Sequence, residues 1–192
     1  MELDEKYWSN RYQTSETGWD LGNVSPPLKF LIDQLSDTSL KILIPGAGNA
    51  YEAEYLFSKG FKNVFVLDIS SVPLKNLKNR FPTFPTQNLI HKDFFQLEDK
   101  FDIVLEQTFF CAISPDLRDK YVSQMSKLLN PNGHLLGVLF GVEFEKKGPP
   151  FGGNEKDYYS LFTPFFKKVE IRPCDLSVKP RLGNELIFKC TK

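Results

Sequence analysis

The chain has 192 residues and a mass of 22.1 kDa, which is enough for one domain with a sizeable core and short for two. Its 24 Lys and Arg balance its 24 Asp and Glu, so it has no general attraction to nucleic acid or to an anionic membrane. A content of 41% hydrophobic and 25% charged residues excludes a disordered or membrane-embedded class. We therefore predict one domain over residues 1–192, with neither nucleic acid nor a membrane as its partner.

The cysteines and the N-terminus bear on the cellular setting. Cys111, Cys174 and Cys190 are odd in number and widely spaced, so they indicate neither a disulfide framework nor a zinc site. The opening residues MELDEKYWSNRY are acidic where a signal peptide needs a basic start, and no stretch approaches a membrane span. We expect a cytoplasmic protein without a metal site, acting as a monomer or a weak dimer.

Strand and helix patterns alternate from residue 40 onward. Ahead of them, Ser25-Pro26-Pro27 opens a predicted helix whose apolar residues recur at helical spacing through Leu35. Apolar runs predict strands at residues 41–44, 63–69, 89–90, 101–105, 135–140, 168–171 and 185–190. Between them, helices are predicted to end at residue 57, to begin at residues 70–71 and 114–115, and to surround residues 158–162.

This alternation predicts an α/β fold of Rossmann-like type. Near-continuous apolar strands are typical of a parallel sheet with helices on both faces, a three-layer arrangement. No helix separates the last two predicted strands, so we expect them to pair antiparallel at one edge of the sheet.

The sharpest local signal is a strand, a glycine turn and a helix start within residues 42–52. In Gly46-Ala47-Gly48, the glycines allow a tight turn and a close approach of a ligand to the backbone. Twenty residues after Gly48, Asp68 ends the second predicted strand, where an acid can accept hydrogen bonds from both ribose hydroxyls of a nucleoside. Gly46, Gly48 and Asp68 are therefore predicted to bind a nucleoside cofactor.

The residues after the turn narrow the choice of cofactor. A dinucleotide site needs a third small residue three positions after Gly48, and this chain has Tyr51 there. Glu52 and Glu54 place negative charge in the first helical turn, which suits the helix dipole but not a diphosphate. The interpretation is a cofactor with ribose and little negative charge, which describes S-adenosylmethionine rather than NAD, FAD or ATP.

Two further polar pairs follow predicted strands. Asp93-Phe94 comes after the third strand, where the acid could accept from an adenine amino group while the ring stacks on the base. Glu106-Gln107 ends the fourth strand, at the carboxyl edge where open α/β sheets bind ligands. We predict that all four residues take part in binding the cofactor.

The run FDIVLEQTFFCAI, residues 101–113, combines with Gly18-Trp19-Asp20 upstream and Gly148-Pro149-Pro150 downstream. In this combination the chain resembles the thiopurine methyltransferase-like superfamily, and within it the plant-type thiol and halide methyltransferases. The resemblance covers Trp8 to about Phe166. It implies a class I S-adenosylmethionine-dependent methyltransferase with a seven-stranded sheet whose last strand is antiparallel. The implied acceptor is a small soft nucleophile: a thiol, bisulfide, thiocyanate, a halide or a thiopurine.

The resemblance also implies contacts to the cofactor. Aromatic contacts fall on Trp8, Tyr12 and Trp19, with Tyr12 where the thiol and halide enzymes favour tryptophan. The other cofactor contacts that the resemblance implies fall on residues already predicted to bind the cofactor: Gly46, Asp68, Asp93, Phe94 and Gln107. Because the segment around the tryptophans is too polar for a core element, we expect residues 1–39 to cover the cofactor site as a flap and helix.

The expected reaction is an in-line displacement, for which the protein supplies orientation and a dry pocket. A soft anion needs no general base, whereas a neutral thiol could be oriented or deprotonated by Asp20 and Arg11, the candidate catalytic residues. Plant-type enzymes have aspartate and tyrosine where Glu106-Gln107 stand, so the acceptor's identity does not carry over. Candidates for the substrate pocket are Phe109, Phe110, Phe140, Pro149, Phe151 and Tyr158.

Several features have a structural interpretation instead. His91 and His134 lack the spacing of a metal site or a triad, and Cys111 is expected to be a buried inert thiol. Of the 18 phenylalanines, four are expected in the core: Phe30, Phe57, Phe65 and Phe188. Two other functions stay open from the residues alone, a protein that binds adenosylmethionine as a sensor or scaffold and an NAD-dependent oxidoreductase.

Overall fold

A computed structural model describes residues 2–192. The helices are α1 (Glu5–Gln13), α2 (Pro26–Asp33), α3 (Tyr51–Ser58), α4 (Ser71–Arg80), α5 (Arg118–Leu128) and α6 (Glu155–Phe162). The strands are β1 (Ile42–Pro45), β2 (Val64–Asp68), β3 (Leu89–His91), β4 (Phe101–Gln107), β5 (Leu129–Phe140), β6 (Lys168–Pro173) and β7 (Glu185–Thr191). Short 3-10 turns connect some of them, including Phe94–Gln96 and Phe110–Ala112.

The seven strands form one sheet in the order β3-β2-β1-β4-β5-β7-β6. β1 to β5 run parallel, and β7 lies between β5 and β6 and is antiparallel to both. The predicted α/β class, the predicted strands and the antiparallel last strand are confirmed. The carboxyl ends of β1, β2 and β4 therefore meet at one edge, which is where ligands bind in such sheets.

Alternate residues of each strand enter one of two hydrophobic cores, since successive side chains point to opposite faces. Ile42 and Ile44 pack with α2, α3 and α4 on one face, whereas Leu43 packs with α5 and α6 on the other. The result is the predicted three-layer arrangement.

Three details differ from the sequence analysis. Helix α1 was not predicted because its residues form no apolar stripe and none of them is buried; Asp4 begins it by accepting the Tyr7 N–H at 2.8 Å. Strand β5 begins at Leu129 rather than residue 135. Phe30 is 41% exposed, because α2 turns Leu28 and Ile32 towards the core and Phe30 towards solvent.

Candidate functional site

A cavity of about 700 Å³ opens at the carboxyl edge of β1, β2 and β4. It is bounded on one side by α1 and the segment leading to α2, and on the other by the turn after β4. The predicted site residues that line it are Trp8, Arg11, Tyr12, Trp19, Asp20, Gly46, Gly48, Asp68, Asp93, Phe94, Gln107, Phe109, Phe140 and Pro149. The structure therefore brings most of the predicted residues together around one space.

The loop after β1 is shaped by two glycines with positive φ, +54° at Gly46 and +53° at Gly48. A Cβ at Gly46 would lie 2.2 Å from the Phe109 ring, and one at Gly48 would lie 2.9 Å from the Tyr12 hydroxyl oxygen. Any other residue at Gly46 would have to displace Phe109, because that separation is shorter than van der Waals contact. The glycines thus let two aromatic side chains close on the loop.

Asp68 ends β2 and holds the loop in place. Its Oδ2 accepts the Gly48 N–H at 3.0 Å and its Oδ1 accepts the Ser70 N–H at 2.8 Å. The side chain lines the cavity while the residue is only 5% exposed, and this burial raises its pKa to about 6. A carboxylate can accept about four hydrogen bonds, so Asp68 retains acceptor capacity for the hydroxyls of a bound ribose.

Asp93 repeats this arrangement after β3. Its Oδ1 accepts the Phe95 N–H at 2.9 Å, which begins the short turn that carries Phe94 and Phe95. The Phe94 ring stands edge-on to Phe109 with centroids 5.1 Å apart. Phe95 also lines the cavity, and the sequence analysis missed it. The Asp93 carboxylate and the two phenylalanine rings together form a surface suited to a flat nucleobase that carries an amino group.

The N-terminal segment supplies an aromatic wall. The Trp19 ring meets Trp8 and Tyr12 edge-on, with centroids 5.6 Å and 5.8 Å apart. Burial and the nearby Asp68 carboxylate raise the pKa of Tyr12, so its hydroxyl stays protonated. A hydrogen bond between the Ser9 and Ser70 hydroxyls at 2.8 Å joins α1 to the start of α4.

Asp20 and Arg11 both line the cavity, yet each already has partners. Asp20 accepts the Gly22 N–H at 2.7 Å and a hydrogen bond from the Asn49 amide. Arg11 pairs with Glu16 at 2.9 Å, and its guanidinium lies 5.8 Å from the Trp19 ring centroid. In the described chain its buried Nε has no partner. Their contacts anchor the segment between α1 and α2; a catalytic role for either stays a prediction.

Glu106 requires a correction, because its side chain does not line the cavity. It is fully buried, and burial raises its pKa to about 7. Its Oε1 accepts the N–H groups of Phe109 and Phe110, both at 2.9 Å, and its Oε2 accepts the Tyr121 hydroxyl at 2.5 Å. The alternation of side chains along β4 explains the error: Gln107 faces the cavity, so its neighbour faces away.

Three predicted pocket residues also lie outside the cavity lining. Phe110 and Tyr158 are each 1% exposed and pack edge-on in the core, with centroids 5.5 Å apart. The Tyr158 hydroxyl donates to the Phe140 carbonyl oxygen at 2.8 Å. Phe151 connects its loop to the turn after β4 through its backbone, whose N–H donates to the Cys111 carbonyl at 2.7 Å. The adjacent prolines of that loop, rather than Phe151, reach the cavity.

Arg181 is the main site residue that the sequence analysis missed. It lies in the loop before β7, lines the cavity and donates to the Trp19 carbonyl at 2.7 Å. Its Nη1 is 3.7 Å from Glu185 Oε1, and its side chain is 11% exposed. With Arg11 it brings a second positive group to the cavity. No sequence signal marks Arg181, because only the fold brings it beside the N-terminal segment.

A polar chain crosses the floor of the cavity. Ser25, the N-cap of α2, donates its N–H to Glu52 at 3.3 Å and its hydroxyl to the Gln107 amide oxygen. Burial raises the pKa of Glu52, and the neighbouring Asp20 carboxylate adds to that effect. Cys111 lines the cavity too, but its burial raises the pKa of the thiol, which keeps it protonated and weakly reactive.

Within residues 2–192, no three His, Cys, Asp or Glu side chains are grouped closely enough to hold a metal ion. None of the helices in the described part of the chain combines the length and apolar character needed to cross a membrane.

Comparison with known proteins adds three findings. A model of the thiopurine S-methyltransferase (TPMT) family matches residues 3–187. A probable thiol methyltransferase 2 of Arabidopsis thaliana is 31% identical over 191 residues, covering 96% of this chain and 84% of that protein. A thiocyanate methyltransferase 1 of Brassica oleracea is 27% identical over 196 residues, covering 99% and 86%.

Solved structures share the fold. One is the Burkholderia thailandensis 1,6-didemethyltoxoflavin-N1-methyltransferase, crystallised with 1,6-didemethyltoxoflavin and S-adenosylhomocysteine. It aligns with a TM-score of 0.74 at 16% identity and covers 98% of this chain and 86% of its own. At this identity the likeness establishes the architecture alone.

Proposed function

This chain belongs to the thiopurine S-methyltransferase family, and from that premise we propose that it methylates a small soft anion held between Arg11 and Arg181. It is an S-adenosylmethionine-dependent methyltransferase, and its acceptors are soft nucleophiles. The acceptors proposed are thiolates, bisulfide, thiocyanate, halides and thiopurines, with the anions favoured. Thiol and thiocyanate methyltransferases are among its relatives.

The observation that carries the cofactor assignment is Asp68 at the end of β2. Its carboxylate fixes the glycine loop through Gly48 and keeps free acceptor capacity inside the cavity. Such an acid suits the two ribose hydroxyls of a nucleoside. The residues proposed to hold S-adenosylmethionine are Trp8, Tyr12, Trp19, Gly46, Gly48, Asp68, Asp93, Phe94 and Gln107. Lining of this kind fits a cofactor with little negative charge.

When bound, S-adenosylmethionine supplies a methyl group activated by its sulfonium. The protein's part is to bind, orient and exclude water, since an anionic acceptor needs no proton removed. Trp8 and Trp19 line the cavity with aromatic rings, whose faces favour a cation. Arg11 and Arg181 offer the acceptor positive charge at the same cavity. Because an anionic acceptor needs no base, we propose that Asp20 orients the segment between α1 and α2 through the hydrogen bonds it accepts from Gly22 and Asn49.

We also propose that residues 1–39 form the flap over the cofactor. Two features support this proposal: α1 has no buried residues, and polar pairs connect it to the rest of the protein, Ser9 with Ser70 at 2.8 Å and Glu5 with His91 at 2.9 Å. The protein is proposed to act in the cytoplasm as a monomer or a weak dimer on a small-molecule acceptor. Light scattering after size exclusion, with and without cofactor, tests the oligomeric part.

Two measurements test the proposed function. Calorimetry with S-adenosylmethionine and S-adenosylhomocysteine should show binding at micromolar concentrations. Release of S-adenosylhomocysteine should then be measured with bisulfide, thiocyanate, iodide, thiophenol and a thiopurine as acceptors. We expect turnover with at least one anion. Binding without turnover on the whole panel would instead support a sensor or scaffold, and absence of binding would overturn the assignment.

A further inference from the structure

One buried side chain, that of Glu106, accepts hydrogen bonds from the backbone of the turn between β4 and α5. Glu106 Oε1 accepts the backbone N–H groups of both Phe109 and Phe110 at 2.9 Å, while Tyr121 donates to Oε2 at 2.5 Å. Glu106 and Tyr121 are both fully buried. Buried N–H groups need acceptors, and here one carboxylate serves two consecutive ones.

The same turn places an aromatic ring against the cofactor loop. The Phe109 ring occupies the position where a Cβ on Gly46 would stand. The residue before it, Thr108, has a φ of +60°, a backbone conformation that non-glycine residues adopt at a cost. Contacts with the surroundings must therefore stabilise this conformation. The hydrogen bonds that Glu106 accepts from Phe109 and Phe110, the next two residues, are such contacts.

The surroundings leave Glu106 little room to move. A Cβ at Gly137 on β5 would lie 2.0 Å from the Glu106 carbonyl oxygen and 2.8 Å from its Cβ. The Tyr121 ring packs against both Phe94 and Phe109, with centroids 5.6 Å and 5.8 Å away. The carboxylate is thus fixed by its backbone, by its donors and by the ring that carries one of them.

We infer that Glu106 is a positioning residue: its carboxyl oxygens hold the Phe109–Phe110 turn so that Phe109 closes on the Gly46 loop. Glu106 therefore sets the affinity for S-adenosylmethionine without touching it. The cofactor part of this inference rests on the proposed function, whereas the turn-holding part does not. Phe110 is carried by the same turn, and the Cys111 carbonyl that follows it accepts the Phe151 N–H, which extends the effect to the loop that carries Pro149.

The test compares Glu106→Gln, Glu106→Asp and Glu106→Leu. Glutamine keeps an oxygen at the same reach for the two N–H groups, and its amide can donate to the Tyr121 oxygen. Aspartate keeps the charge but withdraws the oxygens by one methylene, and leucine removes them. We expect the dissociation constant of S-adenosylhomocysteine to stay within about 3-fold for glutamine and to rise about 10-fold for aspartate and more for leucine.

The order of the variants separates positioning from other roles. A direct charge contact with the cofactor would make aspartate, which keeps the charge, a milder change than glutamine, and this order would overturn the inference. A merely structural role would lower the melting temperature while the folded fraction binds with unchanged affinity, and this too would overturn it. If the leucine variant fails to fold, the comparison of glutamine with aspartate decides.

A second readout needs no ligand. Hydrogen exchange of the Phe109 and Phe110 amides should be slow in the wild type and in Glu106→Gln, and at least about 10-fold faster in Glu106→Asp. Equal exchange rates in all variants would overturn the turn-holding part even if the protein bound no cofactor. A wild type that does not bind S-adenosylhomocysteine contradicts the proposed function instead, so the two failures are distinguishable.

Discussion

The two halves of the cavity are built in different ways. On the side of β1, β2 and β3, the predicted site residues lie at the end of a strand or within three residues after it, and each acid accepts a backbone N–H from two residues further on. Asp68 accepts from Ser70 in this way, and Asp93 accepts from Phe95. This cofactor half is assembled from short-range hydrogen bonds at the ends of parallel strands.

The acceptor half draws on segments that are far apart in the chain. Arg11 comes from α1, Cys111 from the turn after β4, Pro149 from the loop after β5, and Arg181 from the loop before β7. None of these four residues lies in a strand. The comparison teaches that substitutions in the cofactor half should decide whether the protein binds its cofactor, whereas those in the acceptor half should decide what is methylated.

The largest effect is expected from Gly46→Ala. The new Cβ would strike the Phe109 ring at 2.2 Å in a backbone with φ of +54°, so we expect a loss of about 2–4 kcal/mol in stability and more than about 100-fold in cofactor affinity. Calorimetry and thermal unfolding measure both. Gly183→Ala is the matched control, since Gly183 has a φ of +82° but no atom within 4 Å of its Cβ position. If Gly46→Ala and Gly183→Ala lose stability and cofactor affinity equally, the effect comes from backbone strain and not from the contact with Phe109.

Asp68→Asn should have the next largest effect. An asparagine turns an amide N–H₂ towards one of the Gly48 and Ser70 N–H groups and removes the charge that ribose hydroxyls would meet. We expect about 30-fold weaker binding of S-adenosylhomocysteine, measured by calorimetry. Asp175→Asn, at an exposed position, should bind as the wild type does. An Asp68→Asn protein with unchanged affinity would show that the cofactor half depends less on this acid than its geometry indicates.

The pKa of Asp68, about 6, predicts a pH effect whose sign differs for binding and stability. Ribose hydroxyls bond best to the ionised form, so affinity should fall about 10-fold from pH 8 to pH 5. Between pH 3.8 and about 6, the folded protein retains a proton that the unfolded chain releases, so the contribution of Asp68 to stability falls as pH rises. Calorimetry of Asp68→Asn across the same range should lack this component of the affinity change; an identical profile would contradict the assignment.

The smallest effect belongs to the acceptor half. Arg181→Met should raise KM for thiocyanate or bisulfide about 5-fold, since it removes a positive charge from the cavity lining, and should weaken cofactor binding less, because its link to the aromatic wall is one hydrogen bond to the Trp19 carbonyl. Initial rates at saturating S-adenosylmethionine measure this change. Arg172→Met, exposed on β6, is the control, and a thiol that is neutral at the assay pH should show little change. Equal effects on cofactor and acceptor would remove the distinction between the two halves.

Sequence reasoning reached the cofactor half because its signals are local. A glycine turn after one strand and acids after the next two lie within short windows, and the strand pattern fixes which edge they share. The same locality explains the error at Glu106: its position at a strand end was visible, but which of two neighbouring residues faces the cavity depends on the exact register of β4.

The acceptor half could not be reached in that way. Arg181 and Trp19 are separated by 162 positions, and only the folded chain joins them. Phe110 and Tyr158 were expected in the pocket because they are aromatic and near the sheet edge, yet a large ring has no sequence signal that separates a core position from a pocket wall. Helix α1 was missed for a related reason, since a helix that buries nothing has no apolar stripe.

The place of β7 has a consequence for synthesis on the ribosome. β7 is synthesised after β5 and β6 but lies between them. Until β7 emerges, the edges of β5 and β6 that pair with it stay unpaired. During translation both present unpaired edges, the kind of surface that recruits other chains or chaperones. Removing residues 185–191 would therefore open a gap within the sheet rather than shorten its border. It would also leave Arg181 without an anchored loop.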